Sequence, residues 1–111
     1  MTDKDKKCVP CEGLTQPLSA ADITAKLETL SGWAVDSTMQ KIRKEFKFGN
    51  FTQTMEFINA IATIAEEQDH HPDVEFGYNY SRVAFTTHSI GGLSDNDFIC
   101  AKAIENMLKH S

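Results

Sequence analysis

Three of the chain's four histidines fall in two short polar segments, Glu66-Glu67-Gln68-Asp69-His70-His71-Pro72 and Thr86-Thr87-His88-Ser89. Imidazole is the one side chain whose unperturbed pKa lets it give and take protons near neutral pH. Brought to one place, the three rings would make a proton-transfer site. Their charges would repel and hold some of them neutral, while Glu66 or Asp69 could orient a ring and favour its charged form. Such a mixture suits general acid–base catalysis. The same residue types also allow a second chemistry, because three imidazoles can hold a catalytic zinc. The residues alone leave both open. His110, in the C-terminal tail, reads as ordinary surface.

The flanking elements must bring the two segments together. Residues 1–17 read as a flexible polar arm closed by Pro17, followed by a single domain over 18–111. Ser19 with Asp22 opens a helix whose apolar stripe is Ala20, Ile23, Leu27 and Leu30, ended by Ser31-Gly32. Trp33 to Asp36 reads as a short strand. Lys41 to Phe48 alternates, with Ile42, Phe46 and Phe48 on one side and Lys41, Arg43, Glu45 and Lys47 on the other.

Asn50 with Gln53 caps the longest helix, which runs to about Asp69. Its stripe is Phe51, Met55, Ile58, Ala62 and Ala65, flanked by Phe57, Ile61 and Ile64. That surface is wider than one sheet contact requires. Pro72 disfavours helical backbone at His71 and so should end the helix there. Glu66 lies one turn before His70, on the same face.

Val74–Asn79 and Ser81–Thr87 read as a hairpin, with His88 at the end of its second strand. Gly91-Gly92 follows, and Ser94 with Asp97 opens a last helix facing inward through Phe98, Ala101, Ile104 and Leu108. The order predicts an α+β fold: a four-stranded antiparallel sheet with three helices packed on one face.

The whole chain bounds the function. At 111 residues it has one core, and domains of this size often complete their sites with partner subunits. A net charge of −5 argues against a nucleic-acid surface. No apolar run approaches the roughly 18 residues that span a bilayer. The charged start, Met1 to Lys7, lacks the apolar stretch of a signal peptide, so a cytoplasmic location is expected. Cys8 and Cys11 form one Cys-x-x-Cys, without the second pair a structural zinc would need. They read as reduced thiols, and Cys100 as a small buried apolar residue.

Asp69-His70-His71-Pro72, Tyr78-Asn79 and Thr87-His88, followed by Gly92-Leu93-Ser94 and Asp97, strongly resemble the pterin-4a-carbinolamine dehydratase family over roughly residues 18–108. The resemblance implies removal of water from 4a-hydroxytetrahydropterin to give the quinonoid dihydropterin, in pterin recycling beside an aromatic amino acid hydroxylase. It implies no metal and no organic cofactor, and a homodimer or homotetramer. By the same resemblance His70 and His88 are the principal acid–base residues, and His71 binds and orients the pterin. Glu66 and Asp69 support the histidines, and Trp33, Thr86, Thr87 and Asp97 lie around the pocket. Relatives that act as dimerisation cofactors or assembly factors supply the alternative, a protein-interaction module on the same fold.

Overall fold

The structure, a computed structural model, describes residues 16–109, so Cys8, Cys11 and His110 lie outside the described residues. The elements run α1 (Ala20–Leu27), β1 (Ala34–Val35), β2 (Ile42–Lys47), α2 (Phe51–Gln68), β3 (Asp73–Phe76), β4 (Tyr80–Phe85), a 3₁₀ turn at His88–Ile90, and α3 (Asp95–Lys109). The strands form one sheet in the order β1-β2-β4-β3, every neighbouring pair antiparallel. This is the α+β architecture that the patterning predicts.

Alternation decides which side of the sheet is covered. Along β2, Ile42 and Phe46 are buried while Arg43, Glu45 and Lys47 are exposed. Along β4, Ser81, Val83 and Phe85 are buried and Arg82 is exposed. Ile23 of α1, Phe57 and Ile61 of α2, and Phe98, Ala101 and Ile104 of α3 join the buried sheet residues in one core. Burying a side chain the size of Phe or Ile contributes about 1.5–3 kcal/mol. The opposite face stays charged, with Glu45 Oε1 accepting from Arg82 Nε at 2.7 Å.

Helix starts follow their capping signals. Ser19 Oγ accepts the Asp22 N–H at 3.2 Å. Asn50 Oδ1 accepts the Gln53 N–H at 2.8 Å, and Gln53 Oε1 accepts the Gly49 N–H at 2.8 Å. The buried face of α2 differs from the stripe read in the sequence. It is Thr54, Phe57, Ile61 and Ala65, whereas Phe51 is 46% exposed and Ala62 is also on the outside. Thr54 fits the core because its hydroxyl donates to the carbonyls of Asn50 and Tyr78, at 3.0 and 2.9 Å.

The end of α2 differs in cause as well. Asp69 adopts φ 51° and ψ 42°, the left-handed conformation that closes helices. Its N–H and that of His70 both reach the Ala65 carbonyl. The helix therefore stops before Pro72 can act on it. Among the described residues no helix is long and apolar enough to cross a membrane.

Candidate active site

The two histidine segments meet at one end of the β3–β4 hairpin. β3 begins at Asp73, directly after His70-His71-Pro72, and Asp73 pairs with Ala84 near the end of β4. Thr86, Thr87 and His88 leave β4 at that same end. Beyond the left-handed Asp69 the two adjacent rings enter different surroundings. His70 is 6% exposed, while the His71 side chain is 56% exposed.

His70 lies nearly parallel to the buried Phe85 ring, with centroids 6.0 Å apart and planes 11° apart. Its Nε2 is 2.7 Å from Asp97 Oδ1. Asp97 is fully buried, and its Oδ2 accepts the Thr87 hydroxyl at 2.8 Å and the Ser94 N–H at 2.9 Å. An ionised Asp97 can only accept, which assigns the His70 proton to Nε2. In the neutral ring the lone pair is then on Nδ1.

Asp97 also shapes the backbone. Ser94 stands immediately before α3, and its Oγ accepts the Asn96 N–H at 3.2 Å while the Asp97 carboxylate reaches back to the Ser94 N–H. That is a capping box, with a carboxylate in place of the usual longer Glu. The carboxylate that closes the start of α3 is the one that holds His70.

His71 Nε2 pairs with Glu66 Oε2 on the surface. The sequence placed Glu66 beside His70, one turn on, but the helix ends between them and the fifth residue takes the contact. The Glu66 side chain is 77% exposed, so this pair stabilises the fold little. The Asp69 side chain is exposed, and what the structure assigns to the residue is the turn itself.

His88 is exposed and starts the 3₁₀ turn. A Thr87–Gly92 bridge closes this loop, with the Thr87 N–H donating to the Gly92 carbonyl at 2.9 Å. Gly91, at φ 65°, turns the chain back. Pro17 packs over Gly92 so tightly that an added Cβ there would lie 2.8 Å from the proline Cβ.

The four residues expected around the pocket are engaged inside the protein. Thr87 and Asp97 are 1% and 0% exposed, in the network just described. The Thr86 hydroxyl donates to the Gln40 carbonyl. Gln40 is held by Asp36, whose Oδ1 accepts the N–H groups of Gln40 and Lys41 at 2.9 and 3.2 Å. The Gln40 N–H above all, with Thr38 and Lys41, keeps the Asp36 carboxyl below its ordinary value. Trp33 is 6% exposed, and its Nε1 donates to Glu105 Oε2 at 2.9 Å. Lys44 Nζ meets the same oxygen at 2.8 Å and the Ser31 carbonyl at 3.0 Å. Trp33 packs on Phe85, as His70 does, with centroids 6.0 Å apart.

Two residues of the site are absent from the sequence reading of it. Ser94 reads as a helix start inside the matched Gly92-Leu93-Ser94 segment with no role at the site, and Phe85 as a core strand residue, because contacts between separate elements leave no local pattern. Among the described residues no group of three or more His, Cys, Asp or Glu side chains is arranged to hold a metal ion. Two of the three rings instead direct Nε2 to a carboxylate.

Comparison with known proteins places this arrangement. A protein of Nitrosospira multiformis, provisionally named a pterin-4-alpha-carbinolamine dehydratase, is 51% identical over 104 residues, covering 94% of this chain and 90% of its own. One from Legionella pneumophila with the same provisional name is 47% identical over 104 residues, covering 93% and 92%. Among solved structures, a transcriptional coactivator/pterin dehydratase from Brucella melitensis superposes with a TM-score of 0.79 at 29% identity, covering 83% of this chain and 98% of that one. A pterin dehydratase-like protein identified as a RuBisCO assembly factor in the alpha-carboxysome superposes with a TM-score of 0.60 at 25% identity, covering 68% and 88%. The sequence profile described as Pterin 4 alpha carbinolamine dehydratase matches residues 16–107, so nearly the whole described domain, both histidine segments included, belongs to that family.

Proposed function

We propose that the protein dehydrates 4a-hydroxytetrahydropterin to the quinonoid dihydropterin by histidine acid–base catalysis. In this reaction the C4a–O bond breaks and a C=N bond forms to the neighbouring ring nitrogen. The departing hydroxide takes a proton and leaves as water, and the nitrogen gives one up. One acid and one base are required, and each usually supplies about 10²–10⁴-fold.

The observation that carries this reading is the buried His70–Asp97 pair beside two exposed histidines. In it His70 is the base. Asp97 fixes its tautomer and stabilises the positive charge that forms when Nδ1 takes the nitrogen's proton, as in other His–Asp pairs. His88, on the exposed turn, is the acid that protonates the leaving hydroxide. His71, oriented by Glu66, binds the pterin ring. Asp69 supports the site by setting the turn between helix and histidines. Thr86 and Trp33 shape the walls through Gln40 and Phe85. The reaction as written needs neither a metal nor an organic cofactor, and it suits pterin recycling beside an aromatic amino acid hydroxylase in the cytoplasm.

A second role in protein interaction is favoured by a separate surface. Phe51, Phe76 and Tyr78 are 46%, 44% and 65% exposed. Thr54 ties the start of α2 to Tyr78, which gathers these residues at the far end of α2 from the histidines. The helix has 18 residues, so about 27 Å separate its ends. Contact with a second copy in a homodimer or homotetramer, or with another protein, can occur there without obstructing the histidines. The named roles of the two solved relatives fit such a dual use.

Stopped-flow dehydration of 4a-hydroxytetrahydropterin by purified protein tests the enzymatic reading. His70→Ala and His88→Ala are each expected to lower the rate roughly 10²–10⁴-fold. Wild-type rates in both folded variants would defeat it and leave the interaction role.

A further inference from the structure

We propose that Thr87 is a positioning residue, acting on His70 through Asp97 rather than touching the pterin. The inference deepens the dehydratase reading and rests on it. At 1% exposure the Thr87 side chain has no surface to offer a ligand. Its single hydroxyl proton is donated to Asp97 Oδ2 at 2.8 Å. The Thr87 oxygen must therefore accept in its contact with Ser94 Oγ, also at 2.8 Å. Ser94 Oγ in turn accepts the Asn96 N–H. These constraints set the direction of every bond: Ser94 donates to Thr87, Thr87 donates to Asp97, and His70 donates to Asp97 from the other side.

Each donor has a consequence for the ring. Without the Thr87 hydroxyl, Oδ2 keeps only the Ser94 N–H, and the carboxylate loses a contact that fixes its plane. A buried carboxylate with fewer donors also holds a proton more readily. Once protonated, Asp97 can donate to His70 Nε2, which moves the ring's proton to Nδ1 and removes the lone pair needed for catalysis. Thr87 keeps Asp97 an acceptor. The same residue closes the His88 loop through its backbone bonds with Gly92. One residue thereby relates the two acid–base histidines.

Thr87→Val, which keeps the shape and removes the hydroxyl, is compared with Thr87→Ser, which restores it. The readouts are dehydration kinetics and the His70 tautomer, from long-range proton–nitrogen NMR correlations of the imidazole. Loss of a hydrogen bond to a buried charged group predicts that Thr87→Val lowers kcat about tenfold with KM within about twofold, and that Thr87→Ser recovers most of the loss. Wild-type His70 shows the Nε2–H tautomer, and the valine variant a mixture. A folded valine variant with wild-type kcat and an unmixed tautomer overturns the proposal. So does a rise in KM at unchanged kcat, which would make Thr87 a substrate contact. Should valine fail to fold, Thr87→Cys, a much weaker donor of similar shape, carries the same comparison. If wild-type protein does not accelerate dehydration, the enzymatic reading fails, and the tautomer comparison still decides whether Thr87 controls His70.

Discussion

Replacing Asp97 with asparagine changes one atom's chemistry at the centre of the network, and the donors around that atom determine the outcome. The carboxylate accepts three bonds, from His70 at 2.7 Å, Thr87 at 2.8 Å and the Ser94 N–H at 2.9 Å. Asparagine has one acceptor oxygen and one NH₂ group. With its oxygen toward Ser94 and Thr87, the NH₂ faces His70 and requires a lone pair on Nε2. The ring then carries its proton on Nδ1, the wrong tautomer for a base there. With its oxygen toward His70, the NH₂ meets the Ser94 N–H, which is fixed by the helix start and cannot turn. The threonine hydroxyl can rotate to accept, so the serine amide decides the matter and the first arrangement wins. A comparable loss of the orienting carboxylate in a serine protease costs about 10⁴-fold, and a general base usually supplies about 10²–10⁴-fold. The expected fall in kcat for Asp97→Asn is therefore about 10³-fold, with KM little changed. Stopped-flow dehydration measures the rate, and nitrogen NMR of His70 reads the tautomer. A folded Asp97→Asn protein with near-wild-type kcat would refute the assignment of His70 as a base held by Asp97.

Two more positions give independent tests. Asp69→Gly relieves a non-glycine residue of its left-handed backbone, and thermal unfolding should show stabilisation of up to about 1 kcal/mol. If the Asp69 contribution is the turn alone, dehydration stays at the wild-type rate, whereas a large loss would assign its carboxylate a part in the reaction. Asp36 tests pH dependence at the turn that holds Gln40. Its carboxyl is held below the ordinary 3.8, so the charged form stabilises the fold above that pH, and the contribution is lost as pH falls through the lowered value. Urea unfolding should therefore show Asp36→Ala destabilised at neutral pH, with the gap to wild type closing on acidification below 3.8. A gap that does not change with pH would mean that the carboxylate's charge plays no part.

Local patterns carried most of the fold. Alternation along Ile42–Lys47 gives the covered and open faces of the sheet, and three capping signals start the three helices. Where several apolar residues competed, local pattern was not enough. On α2 the stripe led by Phe51 is as apolar as the one led by Phe57, and only the position of the sheet decides which is buried. Thr54 on the buried face reads as polar until its bonds to the Asn50 and Tyr78 carbonyls are known. The histidines were legible as a set, but their partners were not. Glu66 is one helical turn from His70, and a single left-handed residue gives it to His71 instead. Asp97 is separated from His70 by 27 positions, and no local spacing could join them.

The double use of Asp97 has a physical reason beyond economy of residues. A buried carboxylate must be compensated, and an arginine or lysine beside it would be the common solution. A full positive charge at that distance would also repel an imidazolium and oppose proton uptake by His70. The start of α3 compensates Asp97 differently, with the Ser94 amide, the Thr87 hydroxyl and a partial positive charge of about half a unit from the helix. These donors satisfy Oδ2 without a formal charge, and His70, on Oδ1, is the partner that can gain one. The base proposed at His70 would take up and release a proton in every cycle, which calls for a compensated anion without a permanent cation. A helix N-terminus provides one, and in this fold the capping signal that begins the last helix places it beside the histidine.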